Sequence, residues 1–367
     1  MRYGKDFPIR QNLVWLHHAG IAPLCPPAAQ AMRNLATQAE AWASFHYPTW
    51  LDAYEGLRAS AARLIGASPR EIAIVKNTSE GIATVQLGID WKPGDRVIAF
   101  REEFPANFYP WKLLEPKGVV VTWLSIYDPL DVVEKAAKGA RLLAISHVNY
   151  LTGHRVDLET IGSICKKNEV FFLVDAIQGL GVFPIDVEVM QIDALSADGH
   201  KWLMGPEGCG ILYIRRDRQA EVQPVEFGWT NVAGFHDYGS RDMTLRDDAG
   251  RYECGTLNTI GVFGLRAAVE FVLETGVPFI EERVLANTRT LAEGLAARGL
   301  ELARPWEQHT ASGIVAFRSA DEPPEGIVAR LRSAGIVAAV RQGWVRLAPH
   351  FYQTGDDMNL VLRQISS

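Results

Sequence analysis

From Glu71 onward the chain alternates short β-rich apolar runs with helix-length amphipathic stretches, a rhythm that few architectures can absorb. The runs 72–75, 96–100, 119–124, 142–147, 170–175 and 193–196 read as strands. Segments 79–88, 129–138 and 157–168 between them have the length and patterning of helices. A strand parallel to its predecessor needs such a crossover, so the pattern predicts a mainly parallel sheet covered by helices. One more run, 208–215, follows residue 201 too closely for a crossover and is expected to lie antiparallel, which makes the sheet mixed and seven-stranded.

The rest of the chain reads differently. Residues 221–252 are rich in Gly, Asp and aromatics without a clean period and suggest a long structured loop. Helices are expected at 261–274, 278–298, 325–333 and 357–364, and strands at 312–317, 335–341 and 344–347. At 367 residues two domains are the default. The fold class is therefore α/β, with a large domain at 15–260 and a smaller C-terminal α/β domain at 261–367 that also takes the N-terminal segment 1–14.

Composition narrows the function. A net charge of −6 with no basic run leaves no electrostatic footprint for nucleic acid, so any anion site must be local. Neither a signal-type N-terminus nor a membrane-length apolar stretch is evident, and a cytoplasmic protein without a membrane partner is expected. Cys25, Cys165, Cys209 and Cys254 lie far apart without metal-like spacing, which favours reduced thiols over a disulfide frame or a metal site.

Three motifs carry the chemistry. In Ser196-Ala197-Asp198-Gly199-His200-Lys201-Trp202, a lysine follows a buried strand among small and apolar neighbours, where desolvation would free its amine for imine formation. It is also the last lysine of the chain. In Val174-Asp175-Ala176-Ile177-Gln178-Gly179, an aspartate ends an apolar run, where a doubly wound sheet presents its functional groups. A carboxylate there suits the pyridinium nitrogen of pyridoxal-5′-phosphate (PLP), whose ring then acts as an electron sink. In Lys76-Asn77-Thr78-Ser79-Glu80-Gly81, two hydroxyls meet a helix start, a ready phosphate cradle. Singly, each motif has an ordinary alternative: a solvated lysine, an aspartate N-cap, and a helix capped by Thr78 or Ser79.

Taken in order with Glu103-Phe104-Pro105-Ala106-Asn107, these motifs resemble the class V aminotransferase family, which includes cysteine desulfurases, kynureninase and isopenicillin N epimerase-like proteins. The likeness runs from Leu16-His17-His18-Ala19-Gly20 to Arg346-Leu347-Ala348-Pro349-His350-Phe351-Tyr352. It implies the fold type I architecture of PLP-dependent transferases. It also implies Lys201 as the Schiff-base lysine, Asp175 on the pyridine nitrogen and Gln178 on the phenolic oxygen. Thr78, Ser79 and His200 would hold the phosphate, Phe104 would stack on the ring, and Asn149 would line the cofactor's oxygen side. Arg346 would take the substrate α-carboxylate, with Gly20 beside it, and Arg341 is a candidate second cation. Gly255-Thr256 resembles a turn whose hydroxyl reaches the phosphate of a partner subunit, implying a homodimer with shared active sites.

Two departures stand out. Asp198 is an acid near the expected phosphate, and residues 338–343 contain no cysteine, which disfavours cysteine desulfurase chemistry. Cys254, the one thiol near a family motif, reads better as a small buried apolar residue. The expected substrate is an α-amino acid and the expected activity is aminotransferase-like; a C–S or β-lyase, kynureninase-like or epimerase reaction is the alternative. Trp229, Phe235 and Tyr238 are candidates for shaping the substrate side. A nicotinamide oxidoreductase would need a glycine fingerprint after the first strand, where Asn77-Thr78-Ser79 stands instead. A non-catalytic scaffold descended from the family would be expected to lose Lys201 or Asp175.

Overall fold

The computed structural model describes residues 7–365, so residues 1–6 of the segment 1–14, and residues 366–367, lie outside the described residues. Strand β1 (Val14–Trp15) is followed by two helices, α1 (Pro26–Trp42) and α2 (Tyr47–Ile65). The sequence pattern did not announce these helices. In α1 only Ala28 and Leu35 are buried, too narrow a stripe to register as a period.

Then come β2 (Ile72–Val75), α3 (Thr78–Gly88), β3 (Arg96–Phe100), α4 (Tyr109–Lys112), β4 (Val120–Leu124), α5 (Leu130–Ala137), β5 (Leu142–Ser146) and α6 (Leu158–Lys167). Strands β6 (Phe171–Asp175), β7 (Ala194–Asp198) and β8 (Gly210–Ile214) complete the large sheet. Its order is β2-β8-β7-β6-β5-β3-β4. As expected, the sheet is mixed: β8 pairs antiparallel with both β2 and β7, while the remaining neighbours are parallel. Strands β6, β7 and β8 are buried along their whole length, as strands covered on both faces must be.

Residues 221–248 contain no helix or strand, matching the predicted loop, and a 3-10 turn at Ala249–Tyr252 ends it. Helix α7 (Thr259–Thr275) packs on α1 and α2, and α8 (Val277–Ala296) follows. The smaller unit adds β9 (Glu301–Leu302), β10 (Val315–Arg318), α9 (Pro324–Ser333), β11 (Ile336–Val337), β12 (Ala339–Arg341), β13 (Trp344–Leu347) and α10 (Gly355–Gln364). Its sheet runs β12-β13-β10-β9, while β1 pairs parallel with β11 and ties the N-terminal segment to it. A separate core, with Leu291, Leu295, Phe317, Leu331, Val345 and Leu347 at its centre, fills this unit. The run predicted at 335–341 is split into two short strands that join different sheets.

Candidate active site

Parallel strands deliver their C-terminal ends to one edge of a sheet. Here that edge receives the ends of β2, β5, β6 and β7, and so gathers Asn77 to Ser79, Ser146, Asp175 and Asp198 with the following His200 and Lys201. A cavity of about 350 Å³ opens there, closed on the far side by Arg341 and Arg346 of the smaller unit and by His17 and Gly20.

Lys201 lies at the base of this cavity with its Nζ 5.8 Å from the centre of the Phe104 ring. Burial pushes its amine down to about 8, opposed by the negative charge of Asp175. Asp175 is itself buried, which raises its carboxyl to about 6, and its Oδ1 accepts the Ile177 N–H at 3.0 Å. Gln178 is fixed at both ends of its amide. Its Nε2 donates to the Ala19 carbonyl at 3.0 Å, and its Oε1 accepts from Trp202 Nε1 at 2.8 Å.

The start of α3 faces the same space. Its cap is Asn77, whose side chain accepts the Glu80 N–H at 2.9 Å, and not Thr78 or Ser79. The two hydroxyls thus sit in the first turn, where unpaired N–H groups and the helix dipole favour an anion. Thr78 Oγ1 accepts the Asp198 N–H at 3.0 Å, which fixes its rotamer. The Asp198 carboxylate stands 3.1 Å from His200 Nδ1, without hydrogen-bond alignment.

Arg346 is buried, and its Nη1 donates to the Tyr150 carbonyl at 2.6 Å. Burial and the nearby Arg341 push it down to about 10, and its Nε is buried without a hydrogen-bond partner. Among the described residues no carboxylate lies within ion-pair reach of it. A buried guanidinium left in that state is costly, so the cavity is built to receive an anion. These features fit PLP and an amino acid together: an amine of lowered pKa, a buried carboxyl, a helix start with hydroxyls, and an uncompensated arginine.

Several sequence expectations need correction. Asn149 does not line the cavity. Its side chain donates to the Glu102 carbonyl and accepts from Leu151, Thr152 N and Thr152 Oγ1, so it builds a turn, while Tyr150 lines the cavity. Trp229, Phe235 and Tyr238 line a different cavity of about 230 Å³, with Thr256. Cys254 is exposed, its Sγ 3.4 Å from Glu226 Oε2. Sequence reasoning gave no cavity role to His17, whose imidazole burial and the surrounding cations push down to about 4. Its sequence signal was its place in Leu16-His17-His18-Ala19-Gly20; in the structure a Cβ on Gly20 would come within 2.2 Å of its imidazole.

Glu103 was also missed as a titrating group. Burial raises it to about 8; its Oε1 accepts the Ser146 N–H at 2.6 Å, and its other oxygen bonds the Ser146 hydroxyl. Ser146 in turn pairs with Asp175 across β5 and β6. Glu103 thereby fastens the segment carrying Phe104 to the strand beside Asp175.

Comparison with known proteins adds a direction to this geometry. Residues 14–351 match the model of the family described as Aminotransferase class-V. The chain is 30% identical to a probable cysteine desulfurase of Pyrococcus abyssi, covering 92% of this chain and 86% of that protein. It is 28% identical to a probable cysteine desulfurase of Methanothermobacter thermautotrophicus, covering 97% and 95%. The apo structure of a cysteine desulfurase from Thermococcus onnurineus NA1 superposes with a TM-score of 0.91 at 25% identity, over 99% of this chain and 96% of that one. These relatives overturn the expectation of an aminotransferase-like activity, and with it the disfavouring of desulfurase chemistry. Residues 338–343 contain no cysteine, so a thiol from that segment is not available to attack a substrate sulfur.

Proposed function

The chain belongs to the class V aminotransferase family and is a PLP-dependent enzyme of fold type I, and on that premise we propose that it cleaves the carbon–sulfur bond of a cysteine-type α-amino acid. The observation that carries this reading is the likeness, over nearly the whole chain, to proteins named probable cysteine desulfurases.

PLP supplies an electron sink for the charge that develops at the substrate Cα. In this reading Lys201 would hold the cofactor and serve as the base for the substrate Cα proton; its lowered pKa keeps a useful fraction of the amine neutral. Asp175, which is buried, would face the ring nitrogen and keep water away from the charge there. Thr78, Ser79, His200 and the start of α3 would hold the phosphate, Phe104 would cover one face of the ring, and Gln178 would serve the phenolic oxygen. Arg346 grips the α-carboxylate with its planar fork, which fixes the Cα–H bond in one orientation for Lys201. Thr256 is assigned to the partner subunit's phosphate, consistent with its place outside this chain's own cavity.

The test is incubation of the PLP-loaded protein with L-cysteine and with L-cystine, following sulfide or persulfide alongside alanine and pyruvate. Release of sulfur matched by either carbon product is expected. Transfer of the amino group to a keto acid with no release of sulfur would contradict the reading.

A further inference from the structure

Strands β12 and β13 form a hairpin closed by only two residues, Gln342 and Gly343, both with positive φ (48° and 79°). Such a turn matches the twist of the strands and fixes their register tightly. Its tip is tethered: Gln342 Nε2 donates to the Tyr150 hydroxyl at 2.8 Å. In this register Ala339 stands opposite Arg346. Cross-strand partners point to the same face, and a strand repeats its face every two residues, so Arg341 projects on the side of Arg346. Diagonal neighbours of this kind are spaced roughly 7–8 Å apart.

Both guanidiniums line the cavity that holds Lys201. Among the described residues neither has a carboxylate within ion-pair reach, and Arg341 donates only to the carbonyl of its own neighbour, Val340. His17, near Arg346, Arg341 and Lys201 and lining the same cavity, offers no negative charge. One α-carboxylate satisfies one fork. A second cation on the same face of the hairpin, exposed to water and lining the same cavity, has no carboxylate partner among the described residues.

We propose that Arg341 is a specificity determinant that binds a second anionic group, a carboxylate or sulfur oxyacid, carried on the side chain of the amino-acid substrate. This rests on the C–S-cleaving reading for the identity of the substrate, but not for the binding itself.

A matched pair of ligands tests it: S-carboxymethyl-L-cysteine and S-methyl-L-cysteine differ in one carboxylate. Their dissociation constants are read from the rapid change in cofactor absorbance of the PLP-loaded protein. The wild type is expected to favour the carboxymethyl compound by about tenfold or more, the size of a charge-assisted pair. Arg341→Gln is expected to bring the ratio close to one. Arg341→Glu is expected to favour S-(2-aminoethyl)-L-cysteine instead. A wild-type ratio near one, or a preference that survives Arg341→Gln, would overturn the proposal. Sulfur release from L-cysteine, assayed in parallel, reports separately on the C–S-cleaving reading, so the two can fail independently.

Discussion

Burial strips water from the Lys201 ammonium, and Arg346 and Arg341 repel it, while Asp175 and Asp198 pull the other way; the balance leaves the amine near 8. An ordinary lysine titrates near 10.5, so at pH 7.5 about a quarter of Lys201 is neutral against about one part in a thousand for a free lysine in water. In the protein freed of PLP, an amine-directed reagent should modify Lys201 first, with a rate that rises with pH through a midpoint near 8. Asp175 stabilises the charged form, so Asp175→Asn should move that midpoint lower. Peptide-resolved labelling rates check both; a midpoint near 10.5 would refute the desolvated environment. The sequence revealed Lys201 and Asp175 because each directly ends or follows a buried strand, where position dictates direction. It misplaced Asn149 because a polar side chain in a turn goes where backbone donors wait, here those of Leu151 and Thr152.

At the scale of elements, the seat of α3 on β7 sets the phosphate cradle. Gly81 makes that contact possible: a Cβ there would stand 2.2 Å from the Ser196 hydroxyl. Gly81→Ala should push the helix off the sheet, costing about 1–3 kcal/mol of stability. It should also weaken PLP retention more than a surface substitution on the same helix does. Thermal unfolding with and without PLP checks this; equal shifts in the two states would argue that the cradle does not depend on α3. The large-sheet strands and the crossover helices α3, α5 and α6 were legible from period and turn signals alone; the short helix α4 was not. Helix α1 was not either, because it buries only Ala28 and Leu35, with its partner α7 far along the chain; α2 went unread although it buries Tyr54, Leu57, Ala61, Leu64 and Ile65 at helical spacing. That packing, together with a second core that takes Leu16 and then resumes at Leu291, leads us to propose that the domain division falls within α8 rather than at 260.

For the molecule as a whole, an exposed aromatic surface around Trp229 and Tyr238 accompanies Thr256, away from this chain's own Lys201. If Thr256 serves a second copy, the protein sediments at twice the chain mass, and Thr256→Ala loosens PLP although it leaves the chain's own cavity intact. A monomer with unchanged PLP affinity in that variant would remove the shared-site reading. No helix among the described residues is long and apolar enough to cross a membrane. The architecture followed from sequence rhythm and the cofactor from ordered motifs. The reaction did not follow, because cleavage of a C–S bond and transfer of an amino group call on the same lysine, aspartate and arginine. The account as a whole depends on one covalent attachment. Borohydride reduction of the PLP-loaded protein followed by peptide mapping should place the pyridoxyl group on Lys201; a group found on any other lysine would contradict it.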